Sequence, residues 1–177
     1  MNQNEDIRRH NDSVAQRFTK IEAGIDAARS IDNVFKTLFY GIETEFDLPF
    51  VWLTLMDEAH TQPLISAVTS SEPLKNRLCL LSPEVFSSLI PDPAGPVLAN
   101  RDLAPYYRLL PPRCKYFIKS IAVVPFMLDG RLAGSWNNGD SAVERFSPEM
   151  ETELLAGLGR TLSRKLSQLA SSAPATP

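Results

Sequence analysis

The sequence predicts an α+β sandwich, an antiparallel sheet with helices from the two ends of the chain packed on one of its faces. Three observations predict it. Ile121 to Leu128 is an apolar run with β-branched residues, and Asp129-Gly130 separates it from a returning run, Arg131 to Trp136. An Asp-Gly pair in that setting signals a hairpin, because the turn needs backbone angles that Gly adopts without strain. Long helical periodicity falls at the two ends of the chain, and strand-like composition lies between them.

The first helix is expected from Ile7 to about Arg29. From Val14 its apolar positions, Phe18, Ile21, Ile25 and Ala28, follow in steps of four, three, four and three, the seam of a coiled coil. Asn11 falls on the same seam, where a polar residue fixes register at a cost in stability. About three heptads make a marginal coil on their own, so the seam is expected to pack in a dimeric bundle or, as the alternative, on the chain's own domain. Ser30 to Asn33 interrupts the pattern and supplies caps for a second helix. Val34, Phe35, Leu38, Phe39, Ile42 and Phe46 give that helix a broad apolar face, and Asp47-Leu48-Pro49 stops it.

Phe50 to Met56 reads as a central strand, apolar on both faces. Asp57 to Pro63 reads as a turn with His60 exposed in it, and Leu64 to Thr69 as a second, shorter strand. Ser70 to Lys115 is a long irregular middle that holds eight of the 14 prolines. Ser82-Pro83-Glu84 opens a short helix there, Val97-Leu98 a short strand, and Arg101 to Leu110 a further short helix. A segment of this length between strands carries function or covers the sheet. After the hairpin, Asn137-Asn138-Gly139-Asp140 reads as a turn. Ser147 is expected to cap the last helix with Pro148 in its first position. Met150, Leu154, Leu155, Leu158, Leu162, Leu166 and Leu169 form its stripe. The domain is expected over residues 30–170, with residues 1–29 as a dimerising helix and residues 171–177 as a disordered tail.

Charge and composition exclude several classes. A net charge of -3 with no basic block argues against nucleic acid. No apolar run approaches the ~20 residues that span a bilayer, and MNQNEDIRRHNDS has no apolar core of a signal peptide. No membrane contact and a cytoplasmic location are therefore expected. Two cysteines, Cys79 and Cys114, in no paired motif, and two histidines assemble no metal site. No Gly-x-Ser-x-Gly elbow, phosphate loop or zinc-helix motif is present, so the chain is not expected to be an enzyme.

Lys119-Ser120-Ile121-Ala122-Val123-Val124-Pro125-Phe126, then Leu132-Ala133-Gly134-Ser135, then Arg145-Phe146-Ser147-Pro148-Glu149-Met150 make a pattern over about residues 117–166 that resembles the GAF family of small-ligand sensor domains. The nearer resemblance is to an uncharacterised bacterial GAF-like family of near stand-alone chains. Trp136 to Gly139 departs from the pattern. The resemblance implies a sheet with terminal helices on one face and an irregular lid on the other, enclosing a pocket. Trp52, Thr54, Tyr106, Tyr107, Arg113, Ser120 and Ser135 would point into it, with Arg101 at the start of a lid helix. Each also has a plainer reading, as core aromatic, lid packing, solvated charge or small strand residue.

The resemblance implies a small-molecule sensory or regulatory module, and the seams of the terminal helices add the expectation of a homodimer, one that signals to a separate effector protein. It names no cofactor, and the ligand's identity stays open. A scaffold with a filled pocket is the alternative. A third and lesser reading is a thiol-dependent enzyme using Cys79 or Cys114, both in the irregular middle; the GAF-type methionine sulfoxide reductases use several cysteines in pocket loops, and this chain has two.

Overall fold

The computed structural model describes residues 3–172. Of the expected tail, residues 173–177 lie outside the described residues, and residues 171 and 172 belong to the last helix. The elements in chain order are α1 (Gln3–Ala27), α2 (Ile31–Phe46), β1 (Phe50–Met56), α3 (Gln62–Thr69), α4 (Glu72–Lys75), β2 (Leu78–Leu81), α5 (Pro83–Leu89), β3 (Val97–Ala99), β4 (Ser120–Leu128), β5 (Arg131–Asp140) and α6 (Glu153–Ser172). Five strands form one sheet in the order β2-β1-β5-β4-β3. Every pairing is antiparallel except β1 with β2.

Alternation along the strands separates two cores. Val51, Leu53 and Leu55 of β1, with Ala122, Val124 and Phe126 of β4, face a layer built from α1, α2, α3 and α6. Trp52 and Met56 of β1, with Ile121 and Val123 of β4, face the irregular segment, whose Phe86, Ile90, Leu109 and Leu110 close over them. Helices on one face and a lid on the other is the expected arrangement. The β4–β5 turn is also as expected: Asp129 (φ 51°) and Gly130 (φ 76°) both take left-handed angles, the requirement of the tight hairpin turn.

Several expectations are corrected. Leu64 to Thr69 is helix, not strand. Pro63 sits in the first turn of α3, and Leu64, Ile65 and Val68 fall on one helical side and are buried in the helix-layer core. The sheet's second edge strand is instead Leu78–Leu81, inside the segment read as irregular. Asn137 to Asp140 is the end of β5, not a turn. α6 begins at Glu153, since Ser147 to Met150 closes as a separate turn and the Ser147 hydroxyl bonds the Glu149 carboxylate instead of a helix amide. His60 is not exposed: its side chain is 14% accessible and its Nε2 lies 3.1 Å from the Leu132 carbonyl.

The α1 seam turns inward. Phe18, Ile21 and Ile25 are buried in the chain's own core, and Val14 and Ala28 pack against it. Lys165 Nζ of α6 donates to the carbonyl of Asp26 at 2.8 Å, and Arg164 pairs with the Asp26 carboxylate. Cations at the last turn of a helix complement its dipole and its free carbonyls. Removing residues 1–29 would therefore open the core itself. In equilibrium urea unfolding, Ile25→Ala is expected to cost about 2–5 kcal/mol. Ile7→Ala, at a site 52% exposed, is expected to stay within about 0.5 kcal/mol. Equal small effects would mean that the seam does not pack inward.

Candidate functional site

Two features of the lid side carry polar chemistry, one buried and one open. The first is a buried polar row on the sheet. Cross-strand register sets Thr54 opposite Ser135 and Trp52 opposite Asn137, so all four share the lid face. Asn137 Nδ2 donates to Thr54 Oγ1 at 2.9 Å, and Ser135 Oγ donates to Asn137 Oδ1 at 2.8 Å. Thr54, Ser135 and Asn137 are fully buried. Cys79 of β2 lies beside Thr54 in register on the same face.

The second feature is a cleft of about 690 Å³ at one end of this face. Phe50, Trp52, Asn76, Arg77, Arg113 and Cys114 line it. Trp52 is 1% exposed, and its indole N–H donates to the Leu109 carbonyl. Arg77 pairs with Glu43 and lies over the Phe39 ring, 5.2 Å from its centroid. Arg113 is exposed, and Cys114 is half-buried in a turn closed by Cys114 N–H to the Pro111 carbonyl at 2.9 Å.

The two thiols differ. Cys79 Sγ donates to the Arg108 carbonyl at 3.2 Å, and burial pushes its thiol above the ordinary range. Burial disfavours the thiolate, the form that attacks electrophiles. Cys114 is the thiol that opens on the cleft. The two are linked through the lid, since Cys79 of β2 holds the end of a 3₁₀ turn, Ala104–Arg108, six residues before Cys114.

The expected site residues are only partly brought together. Trp52 and Arg113 meet at the cleft. Thr54 and Ser135 meet in the buried row, bridged by Asn137, which the turn reading of residues 137–140 hid. Ser120 is on the opposite face, with its hydroxyl on the Ala142 carbonyl at 2.7 Å. Tyr106 packs on the lid-side core, Tyr107 is 45% exposed, and Arg101 lines a different depression beside Ser147 and Glu149. The Asn137 amide is the one side chain bonded to both hydroxyls of the row. Asn137→Ala is expected to lower stability by about 1–3 kcal/mol through the buried hydroxyls it leaves unpaired. Arg101→Ala at the surface is expected to change it by less than about 0.5 kcal/mol. Denaturant titration reads both, and an unperturbed Asn137→Ala protein would show that the row is not structural.

No family model and no curated protein sequence matches the chain. Among solved structures, the chain is similar to a free methionine-R-sulfoxide reductase from Neisseria meningitidis, solved in complex with its substrate. The identity is 16%, the TM-score 0.60, and the match covers 88% of this chain and 89% of that one. The likeness is one of fold, and with the two-layer architecture it places the chain in the GAF-like α+β fold. It also corrects the reading of a non-enzymatic sensory module. The fold neighbour is an enzyme, and a missing elbow, phosphate loop or zinc motif excludes only the chemistries that use them.

Proposed function

We propose that the chain is a thiol-dependent reductase of a small sulfoxide, with Cys114 as the attacking thiol. The observation that carries the reading is the placing of Cys114 on the wall of the lid-side cleft, in a fold shared with a sulfoxide reductase. Trp52 and Phe50 offer an apolar wall for a thioether-like group, and Arg113 offers a guanidinium for a carboxylate such as an amino acid carries. The finer membership, in the uncharacterised bacterial GAF-like family, rests on the Lys119–Phe126 and Arg145–Met150 patterns and belongs to the same proposal.

Cys114, as thiolate, attacks the sulfoxide sulfur. The oxygen atom passes to the Cys114 sulfur, a proton is taken up, and the thioether leaves. Substrate sulfur gains two electrons and Cys114 becomes a sulfenic acid. An external dithiol then reduces the sulfenic acid, releasing water and becoming a disulfide. Cys79, held protonated by burial and bonded to the Arg108 carbonyl, takes no part in the attack.

Purified protein incubated with methionine-R-sulfoxide and dithiothreitol is expected to form methionine over repeated turnovers. Without dithiothreitol, about one methionine per chain is expected. Cys114→Ser should abolish both. Cys79→Ser should retain the single turnover. Methionine formation at the wild-type rate by Cys114→Ser, or none by the wild type, overturns the reading.

A further inference from the structure

A second cavity lies on the helix side of the sheet, away from Cys114. It has a volume of about 370 Å³, within the range of small-molecule sites, ~300–1,000 Å³. Its walls come from α1, the end of α2 and the segment that leads into α6, and include Val14, Phe18, Ile42, Phe46, Phe146 and Leu155. Met150 and Leu154 stand at the same cavity and remain 49% and 41% exposed. These two residues belong to the stripe expected to bury itself, and the fold leaves them without cover.

Two guanidiniums meet at one part of this apolar lining. Arg17 and Arg145 both line it. Each is anchored at the C-terminal end of α2 by a single nitrogen. Arg17 Nη1 donates to the Glu45 carbonyl at 3.1 Å, and Arg145 Nη2 donates to the Phe46 carbonyl. A guanidinium has five N–H donors, so both keep donors beyond the anchor and are held in place before any ligand arrives. Asn138, 1% exposed, forms part of the lining, and its Oδ1 is taken by the Trp136 indole N–H at 2.8 Å. That bond orients the amide, and its NH₂ is a donor that suits an anion. His10 and Glu151 also line the cavity. Two guanidiniums against one carboxylate leave the rim net positive.

We infer that this cavity binds an amphipathic carboxylate, an unbranched aliphatic acid of medium length whose chain lies along the apolar walls and whose carboxylate meets Arg17, Arg145 and the Asn138 amide. The apolar lining accounts for a chain, and the two pre-placed cations, with the Asn138 amide, account for one anionic end. A neutral lipid would leave the guanidiniums unmatched, and a small hydrophilic anion would leave the walls uncovered.

The test is calorimetric titration of the full chain with octanoate, kept well below micelle formation, and with octan-1-ol as the uncharged counterpart. Octanoate is expected to bind once per chain, and the alcohol at least about tenfold more weakly. A hydrogen bond to a charged group accounts for a factor of that order. Arg145→Gln and Arg17→Gln are each expected to weaken octanoate about tenfold and leave the alcohol unchanged. Arg17 is exposed, so its variant carries the test if loss of the Arg145 anchor at Phe46 disturbs the fold. Leu154→Trp, at a site that tolerates bulk outward, should fill the mouth and abolish binding with the melting temperature preserved. Equal binding of acid and alcohol, no detectable octanoate binding, or octanoate binding unchanged in folded Leu154→Trp overturns the inference. None of these readouts involves turnover at Cys114, so the two proposals stand or fall separately.

Discussion

Where β5 crosses β1 the two backbones lie so close that a Cβ at Gly134 would stand 2.1 Å from the Thr54 carbonyl oxygen and 3.0 Å from the Leu55 Cα. No side chain fits there, and backbone on backbone cannot yield as a flexible side chain would. The β1–β5 pairing therefore rests on glycine at this position, and both faces of the sheet rest on the pairing. It sets Thr54 against Ser135 and Trp52 against Asn137 on the lid side. On the other side it carries Leu53 and Trp136 into the helix layer. Gly139 repeats the constraint more softly, since a Cβ there would meet Ile118 and Trp52 side chains at 2.9 and 3.2 Å. Slippage of β5 by one residue would bring Asn138 to the lid face and Asn137 into the helix-side core, and would unpair both amides.

The terminal parts of the fold were legible because local periodicity and tertiary packing agree there. The stripe Leu158, Leu162 and Leu166 is buried, as are Val34, Leu38 and Ile42. The hairpin at Asp129-Gly130 was legible because its signal is local, held in two dihedral angles. The centre was harder. Leu64 to Thr69 has the composition of a strand, but burial against α2 rewards its helical spacing, and propensity is the weaker of the two. β2 has only four residues, Leu78 to Leu81, and depends on β1 for a parallel partner. Nothing within four residues announces such a strand.

The candidate site was legible in its residue types and not in its geometry. Trp52, Thr54, Ser135 and Arg113 do lie on the lid side, but in two places, one buried and one open to the cleft. Asn137 and Asn138 were hidden by their own chemistry. Asn, Asn, Gly and Asp in series form turns when their side chains serve the local backbone. Here the two amides serve side chains instead, Asn137 across the sheet to Thr54 and Asn138 to the indole of Trp136. That competition is decided by partners 83 residues away in the case of Thr54, and no window of local sequence contains it.

The lid is held to the sheet at two successive carbonyls. Cys79 Sγ reaches that of Arg108, and the Trp52 indole reaches that of Leu109, at the end of the 3₁₀ turn Ala104–Arg108. Both donors rise from the same sheet face, one from β2 and one from β1. The raised thiol of Cys79 suits this anchor, because only the protonated form can donate, and burial favours that form further. Cys114 follows in the next turn, with Leu109, Leu110 and Ile118 buried on either side of it. Its position over the cleft is thus set by Cys79 and Trp52 through the lid backbone. In this arrangement the two cysteines divide the work, one as a fastening whose chemistry is suppressed by burial and one as the thiol left at the surface of the cleft.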